Sequence, residues 1–144
     1  MFRQLTDHIF VSPQITVEDI AQAKALGVSV IVNNRPEGEP PDQTPGDAIE
    51  AAAQAAGMSY TAIPVSHSGF AHWQIEEMKK ALDAAGDGKL LAYCRSGTRS
   101  TFLWALTRAQ AGDDADALSD AAAKAGDDLS PVRMIMDKIG RAHV

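Results

Sequence analysis

One cysteine in 144 residues excludes an internal disulfide and a cysteine-rich metal site, so that thiol serves either packing or reactivity. A basic surplus is missing too. Lys and Arg number 13 against 19 Asp and Glu, for a formal charge of -6, which opposes the counterion release that drives most nucleic-acid binding. No apolar run approaches the roughly 20 residues that span a bilayer. The opening MFRQLTDHIF also lacks the basic-then-apolar order of a secretory signal. The expectation is a soluble, cytoplasmic protein with neither nucleic acid nor membrane as partner. Repeats and low-complexity linkers are absent, and 45% hydrophobic content suits one compact domain over residues 1–144. The four histidines, His8, His67, His72 and His143, are scattered without zinc-like spacing. Neither a metal nor another cofactor is expected.

Short apolar runs alternate with helical patterns, which predicts a three-layer α/β fold: a mostly parallel sheet flanked by helices. The first run lies around Ile9–Val11, after which Thr16 with Asp19 reads as a capping box and Gly27 as a helix stop. Val28–Val32 is almost wholly β-branched, as in a strand covered on both faces. A loop rich in Pro and Gly fills 36–46, and Thr44-Pro45 opens an alanine-rich helix that Gly57 ends. Met58–Val65 is the next strand, followed by a helix with Ile75, Met78 and Leu82 on one buried face. Lys89–Tyr93 is a strand that runs straight into Cys94. A helix over Thr98–Ala111 turns Phe102, Leu103 and Leu106 inward. Two packing helices close the chain. One spans Ala115–Ala125, with Leu118, Ala121, Ala122 and Ala125 inward; the other starts at Pro131, with Val132, Ile135, Met136 and Ile139 inward.

Ligands of open α/β sheets bind beyond the carboxyl ends of strands, so the loops starting near Asn33, Ser66 and Cys94 are expected to face one crevice. In the run CRSGTRS, backbone N–H groups from Arg95 to Thr98 can form a nest at the positive end of the following helix, and Arg95 and Arg99 add charge. Cysteines so placed fall from a pKa of about 8.5 toward roughly 3.5–7.5. The expected chemistry is a nucleophilic Cys94 with Arg99 as its catalytic partner, and an anion held by Arg95, Ser96, Gly97, Thr98 and Ser100. Gly97 supplies a positive φ, and Ser100 its hydroxyl to the sulfur. The alternative is a structural cysteine at the end of a core strand. Two arginines, a glycine and hydroxyl residues within six positions make a poor apolar site, and count against it.

Other positions carry weaker signals. Arg35 either lines the crevice, binding an anion or closing over Cys94, or is an ordinary exposed arginine before a proline turn. His67 is a proton donor, a substrate contact or a loop residue bonded to backbone. His72 and Trp73 suit packing better than a crevice rim. Tyr93 and Trp104 are expected to pack. The acidic group Asp113, Asp114 and Asp116 suits a helix N-terminus better than a metal site.

The loop CRSGTRS resembles the active-site loop of rhodanese-type sulfurtransferases, whose Cys accepts sulfur as a persulfide and passes it on. Over nearly the full chain, VIVNNRPEGE, IPVSHSGF and LLAYCRSGTRS resemble the bacterial beta-lactamase hydrolase-like, phosphatase-like domain family. That resemblance implies a fold like that of dual-specificity tyrosine phosphatases. It also implies sulfurtransferase activity in some members, with a persulfide dioxygenase as partner. Two departures from the phosphatase pattern stand out. Only four residues separate Cys94 from Arg99, where phosphatases have five, so Ser100 occupies the usual Arg position. Ser66-His67-Ser68 stands where phosphatases carry a general-acid Asp. Both favour sulfur transfer, whose leaving groups need no acid, between a small anionic sulfur donor and a thiol acceptor. Phosphomonoester hydrolysis through a phosphocysteine is the alternative, and a non-catalytic anion-sensing or interaction module the third.

Overall fold

The computed structural model describes residues 2–40, 43–66 and 69–143. Its elements are β1 (Arg3–Thr6), β2 (Ile9–Ser12), α1 (Asp19–Ala25), β3 (Val28–Asn33), α2 (Gly46–Ala55), β4 (Ser59–Ala62), α3 (His72–Ala85), β5 (Lys89–Tyr93), α4 (Thr98–Gln110), α5 (Ala115–Lys124) and α6 (Arg133–His143). The strands form one five-stranded sheet in the order β1-β2-β5-β3-β4, antiparallel only between β1 and β2. The three-layer, mostly parallel architecture is the one expected.

Alternation along β5 builds both layers at once. Leu90 and Ala92 join the core beneath α3, α4, α5 and α6, whereas Leu91 and Tyr93 join the smaller core beneath α1 and α2. Continuing that alternation, Cys94 belongs to the α4 side. Helix α4 is buried nearly all round, with Leu103, Trp104, Ala105 and Leu106 inaccessible. It is the central helix of its layer, and Trp104 packs there as expected. Tyr93 is likewise buried.

The structure corrects several expectations. β1 gave no signal, because in its four residues only Leu5 is buried. The Thr16 motif sits before α1 rather than at its cap: the backbone N–H and hydroxyl of Thr16 donate to the Asp19 carboxylate at 2.8 and 3.2 Å, and the helix begins at Asp19. The strand expected over Met58–Val65 shortens to Ser59–Ala62. Pairing continues irregularly as Ile63 and Val65 donate to the carbonyls of Asn33 and Asn34. Ile135, expected inward, is 43% exposed, whereas Val132 and Met136 are buried and Ile139 packs against the same core. No helix among the described residues is long and apolar enough to cross a membrane.

Candidate active site

Cys94 follows directly on β5, and its N–H donates to the Ser12 carbonyl at 3.2 Å, which pins it to the end of β2. Four residues later α4 begins. The turn between them requires Gly97, whose φ of 93° lies in the left-handed region. A Cβ there would run into the Arg3 guanidinium and the Ser12 backbone. The Gly97 N–H points at the sulfur and donates to it at 3.1 Å. The first N–H groups of α4 have no intrahelical partner and present the positive end of the helix dipole to the same place.

Cys94 itself is fully buried. Burial is what the structural-cysteine alternative expected, but an amide aimed at the sulfur and a guanidinium beside it are not features of an apolar site. Arg99 lies within electrostatic reach of the sulfur. Its pKa is raised first by the hydrogen bonds it donates to Glu39 and further by the charge of Cys94. A substrate atom reaches the sulfur only when covering side chains give way.

Glu39 is the residue that sequence reasoning missed here. Its carboxylate accepts both terminal nitrogens of Arg99 at 2.9 Å, in the bidentate geometry that suits a guanidinium. It also accepts the Arg35 Nε at 3.0 Å. Arg99 additionally donates to the Val65 carbonyl. Hydrogen bonds from Arg99, then Arg35, hold the Glu39 carboxyl below the usual carboxylate range against the opposing effect of burial. The loops after β3, β4 and β5 therefore meet at Arg99, as the crevice rule predicts. Arg35 is buried, not exposed, and its second partner is the Gln14 side-chain oxygen at 2.9 Å. It reaches the crevice through Glu39.

The far side of the loop has a different support, also missed. Arg3 donates to the Ser96 carbonyl at 3.0 Å, and to the Ala125 carbonyl and Asp127 at 3.2 and 3.3 Å. The buried Asp127 carboxylate accepts the Thr101 hydroxyl at 2.7 Å and the Thr98 hydroxyl at 3.3 Å. Ser96 turns inward within the loop, its hydroxyl accepting the Thr98 N–H at 3.3 Å.

Several expectations change accordingly. Of the loop amides, Gly97 serves the sulfur while Thr98 is taken by Ser96, because the tight turn leaves each N–H one direction. The Arg95 side chain is exposed and has no ion pair or hydrogen bond among the described residues. It follows Cys94 immediately, and its backbone direction carries it outward. The Ser100 hydroxyl is buried with no partner and does not donate to the sulfur. His67 falls outside the described residues. Trp73 and His72, expected to pack in the core or on the surface, both lie at the surface, Trp73 half-exposed. Asp114 caps α5 by accepting the Ala117 N–H at 3.0 Å, the helix-start role expected of that acidic group. No group of three His, Cys, Asp or Glu among the described residues is arranged to hold a metal ion.

Residues 1–113 match the model of the family described as beta-lactamase hydrolase-like protein, phosphatase-like domain. The Xylella fastidiosa strain Temecula1 beta-lactamase hydrolase-like protein is 32% identical over 121 residues, covering 81% of this chain but 28% of its own length. The chain thus spans about a quarter of that relative. A solved candidate phosphatase from Neisseria meningitidis z2491 superposes with a TM-score of 0.79 at 31% identity, covering 95% of this chain and 96% of its own. P. aeruginosa TpbA, crystallised with phosphotyrosine, superposes with a TM-score of 0.67, covering 99% of this chain and 89% of its own, but at 15% identity it shows only a shared fold. That fold is the one of tyrosine and dual-specificity phosphatases. With the sulfur, the amide and the arginine on that scaffold, the chain belongs to the beta-lactamase hydrolase-like protein, phosphatase-like domain family.

Proposed function

We propose that the chain is a cysteine-dependent hydrolase of phosphomonoesters. The observation that carries this is the Cys94 sulfur under the Gly97 N–H, at 3.1 Å, with Arg99 beside it. The thiolate attacks phosphorus; the S–P bond forms as the P–O bond breaks, and the leaving oxygen takes the electron pair and a proton from water. Water then cleaves the phosphocysteine, releasing inorganic phosphate and the thiolate. Arg99 and the start of α4 stabilise the charge that gathers on the phosphoryl oxygens. Gly97 and Arg99 bind the anion directly, Ser96 and Thr98 hold the loop, and Arg35 acts through Glu39. Glu39 is a poor proton donor, because two arginines keep it ionised, so leaving groups stable as anions, phenolates above all, are favoured. The phosphotyrosine held by P. aeruginosa TpbA supports this class by analogy of fold.

Sulfur transfer is the second reading, favoured by the four-residue spacing from Cys94 to Arg99. There the thiolate attacks the outer sulfur of a donor such as thiosulfate, forming the persulfide and expelling sulfite, and a small thiol takes the sulfur from it. The family description and the Neisseria relative support hydrolysis rather than this route.

Parallel assays of aryl phosphate hydrolysis and of thiosulfate sulfur transfer, with Cys94→Ser as control, separate the two. Hydrolysis that Cys94→Ser lowers by about 10³-fold or more is expected, with phosphorylated Cys94 trapped by mass spectrometry. One added sulfur on Cys94 without phosphate release overturns hydrolysis in favour of transfer.

A further inference from the structure

At the end of the sheet away from Cys94, the β1–β2 turn and helices α3, α4 and α5 leave a recess of about 540 Å³ between them. Its floor is apolar: Ile9 at the start of β2, Leu82 on α3, Trp104 on α4, and Leu118 and Ala121 on α5. Roughly 10 Å of strand separates Ile9 from Ser12, whose carbonyl pins Cys94. The recess is therefore distinct from the candidate active site and shares no lining residue with it.

The amino-acid sequence explains why the space is there. Leu118 is the one large apolar side chain in α5 (ADALSDAAAK), and Ala117 and Ala121 line the recess beside it. Two alanines leave unfilled the volume that larger side chains would take against Ile9 and Trp104, whereas a packed core leaves few voids larger than a water molecule. On α4, Trp104 and Arg108 stand one turn apart on the same face. The volume falls within the range of small-molecule pockets, about 300–1,000 Å³, and an apolar lining with a few polar groups is their usual composition.

The polar rim selects the kind of molecule. Arg108 donates through Nε and one terminal nitrogen to the two Asp113 oxygens at 2.8 and 3.0 Å. Its other terminal nitrogen has no hydrogen-bond partner among the described residues. Asp114, also at the rim, accepts the Ala117 N–H. The hydrogen bonds to Asp113, then the charges of Asp113 and Asp83, raise the Arg108 pKa, so this guanidinium is already matched. An anion brought to the free nitrogen meets those carboxylates, and a cation has to compete with Arg108 for Asp113. An uncharged molecule meets neither opposition: its body covers the apolar floor and its oxygen takes the free N–H.

We infer that this recess is a second binding site, for an uncharged, largely apolar small molecule whose carbonyl or hydroxyl oxygen accepts from Arg108. It stands apart from the hydrolase proposal and needs no reaction at Cys94.

The test is titration with 6-propionyl-2-(dimethylamino)naphthalene, a neutral carbonyl probe whose emission moves to shorter wavelength out of water, with calorimetry giving the stoichiometry. One molecule per chain is expected. Displacement by 2-acetylnaphthalene, 2-ethylnaphthalene and 2-naphthoate then reads the rim. The acetyl compound should bind about fivefold more tightly than the ethyl compound, one hydrogen bond's worth, and about tenfold more tightly than the carboxylate. Ala121→Leu fills the recess and should weaken probe binding about tenfold or more with the melting temperature undiminished. Arg108→Met should bring the acetyl and ethyl compounds within about twofold of each other while the apolar body still binds. Should Ala121→Leu fail to fold, the Arg108→Met comparison decides alone. Saturating phosphate should leave the titration unchanged, because Cys94 lies at the other end of the sheet. Absence of binding, binding that survives Ala121→Leu in a folded chain, or displacement by phosphate overturns the site. A carboxylate preferred to the acetyl compound overturns the uncharged class. Self-association that Ala121→Leu disrupts, with no probe bound, overturns the site in favour of an interface between copies of the chain.

Discussion

Two supports hold the Cys94 loop, and they differ in what they grip. On one side Asp127 and Arg3 hold a carbonyl and two hydroxyls, Ser96, Thr98 and Thr101. The groups they take up are the loop's own. On the other side Glu39 holds Arg99, the guanidinium an incoming anion would need. Asp127 is almost sealed, whereas Glu39 keeps about a fifth of its side chain in solvent. The first support fixes a shape. The second occupies a charge, so a substrate anion competes with Glu39 for the same donors, and the price of that contact is set against binding.

Removing Asp127 should do the most damage. Asp127→Ala takes the ion partner from Arg3 and the shared acceptor from the Thr98 and Thr101 hydroxyls, with an expected loss of about 3 kcal/mol in urea unfolding. Gly97→Ala follows, at about 2 kcal/mol, from a positive φ and a clash with Arg3. It also shifts the amide that faces the sulfur, so turnover should fall further than the stability change alone explains. Glu39→Gln should cost only about 1 kcal/mol, since its pair is partly solvated. It should also sharpen the contrast by tightening the binding of a simple anion such as phosphate, measured by calorimetry. Weakened phosphate binding would instead make Glu39 a brace like Asp127. Arg95→Ala should stay within about 0.5 kcal/mol, because the side chain is exposed and unpaired.

The pH dependence has a definite sign. The folded pKa of Glu39 lies below its ordinary value, so its contribution is fully present above that ordinary value, near 4.3, and is lost as pH falls through the depressed one. The difference in melting temperature between the parent chain and Glu39→Gln should therefore be constant from neutrality to mildly acid pH and shrink only below it. A difference that vanished between pH 6 and 7 would point to a titrating partner other than Glu39.

What could be read from sequence was local. CRSGTRS follows an apolar run and precedes a helical pattern, so strand, turn and helix were legible together, and Gly97 announced the positive φ. The parallel strands over Val28–Asn33 and Lys89–Tyr93 were legible because burial on both faces leaves an unbroken apolar run. β1 was not, since a short antiparallel edge strand with one buried side chain resembles a loop. Ile135 was misplaced because helical spacing gives a face but not which neighbours cover it.

The amino-acid order by itself determined that one cysteine stands on a glycine-bent turn at a helix start, because backbone chirality and the 3.6-residue period act over a few residues. Only the tertiary structure decided what holds Arg99 and what braces the loop. Arg3 and Ser96 are 93 positions apart, Arg99 and Glu39 60, and nothing in their local sequence pairs them. Sheet order brings them together: β5 lies between β2 and β3, so the chain ends of all three converge on Cys94.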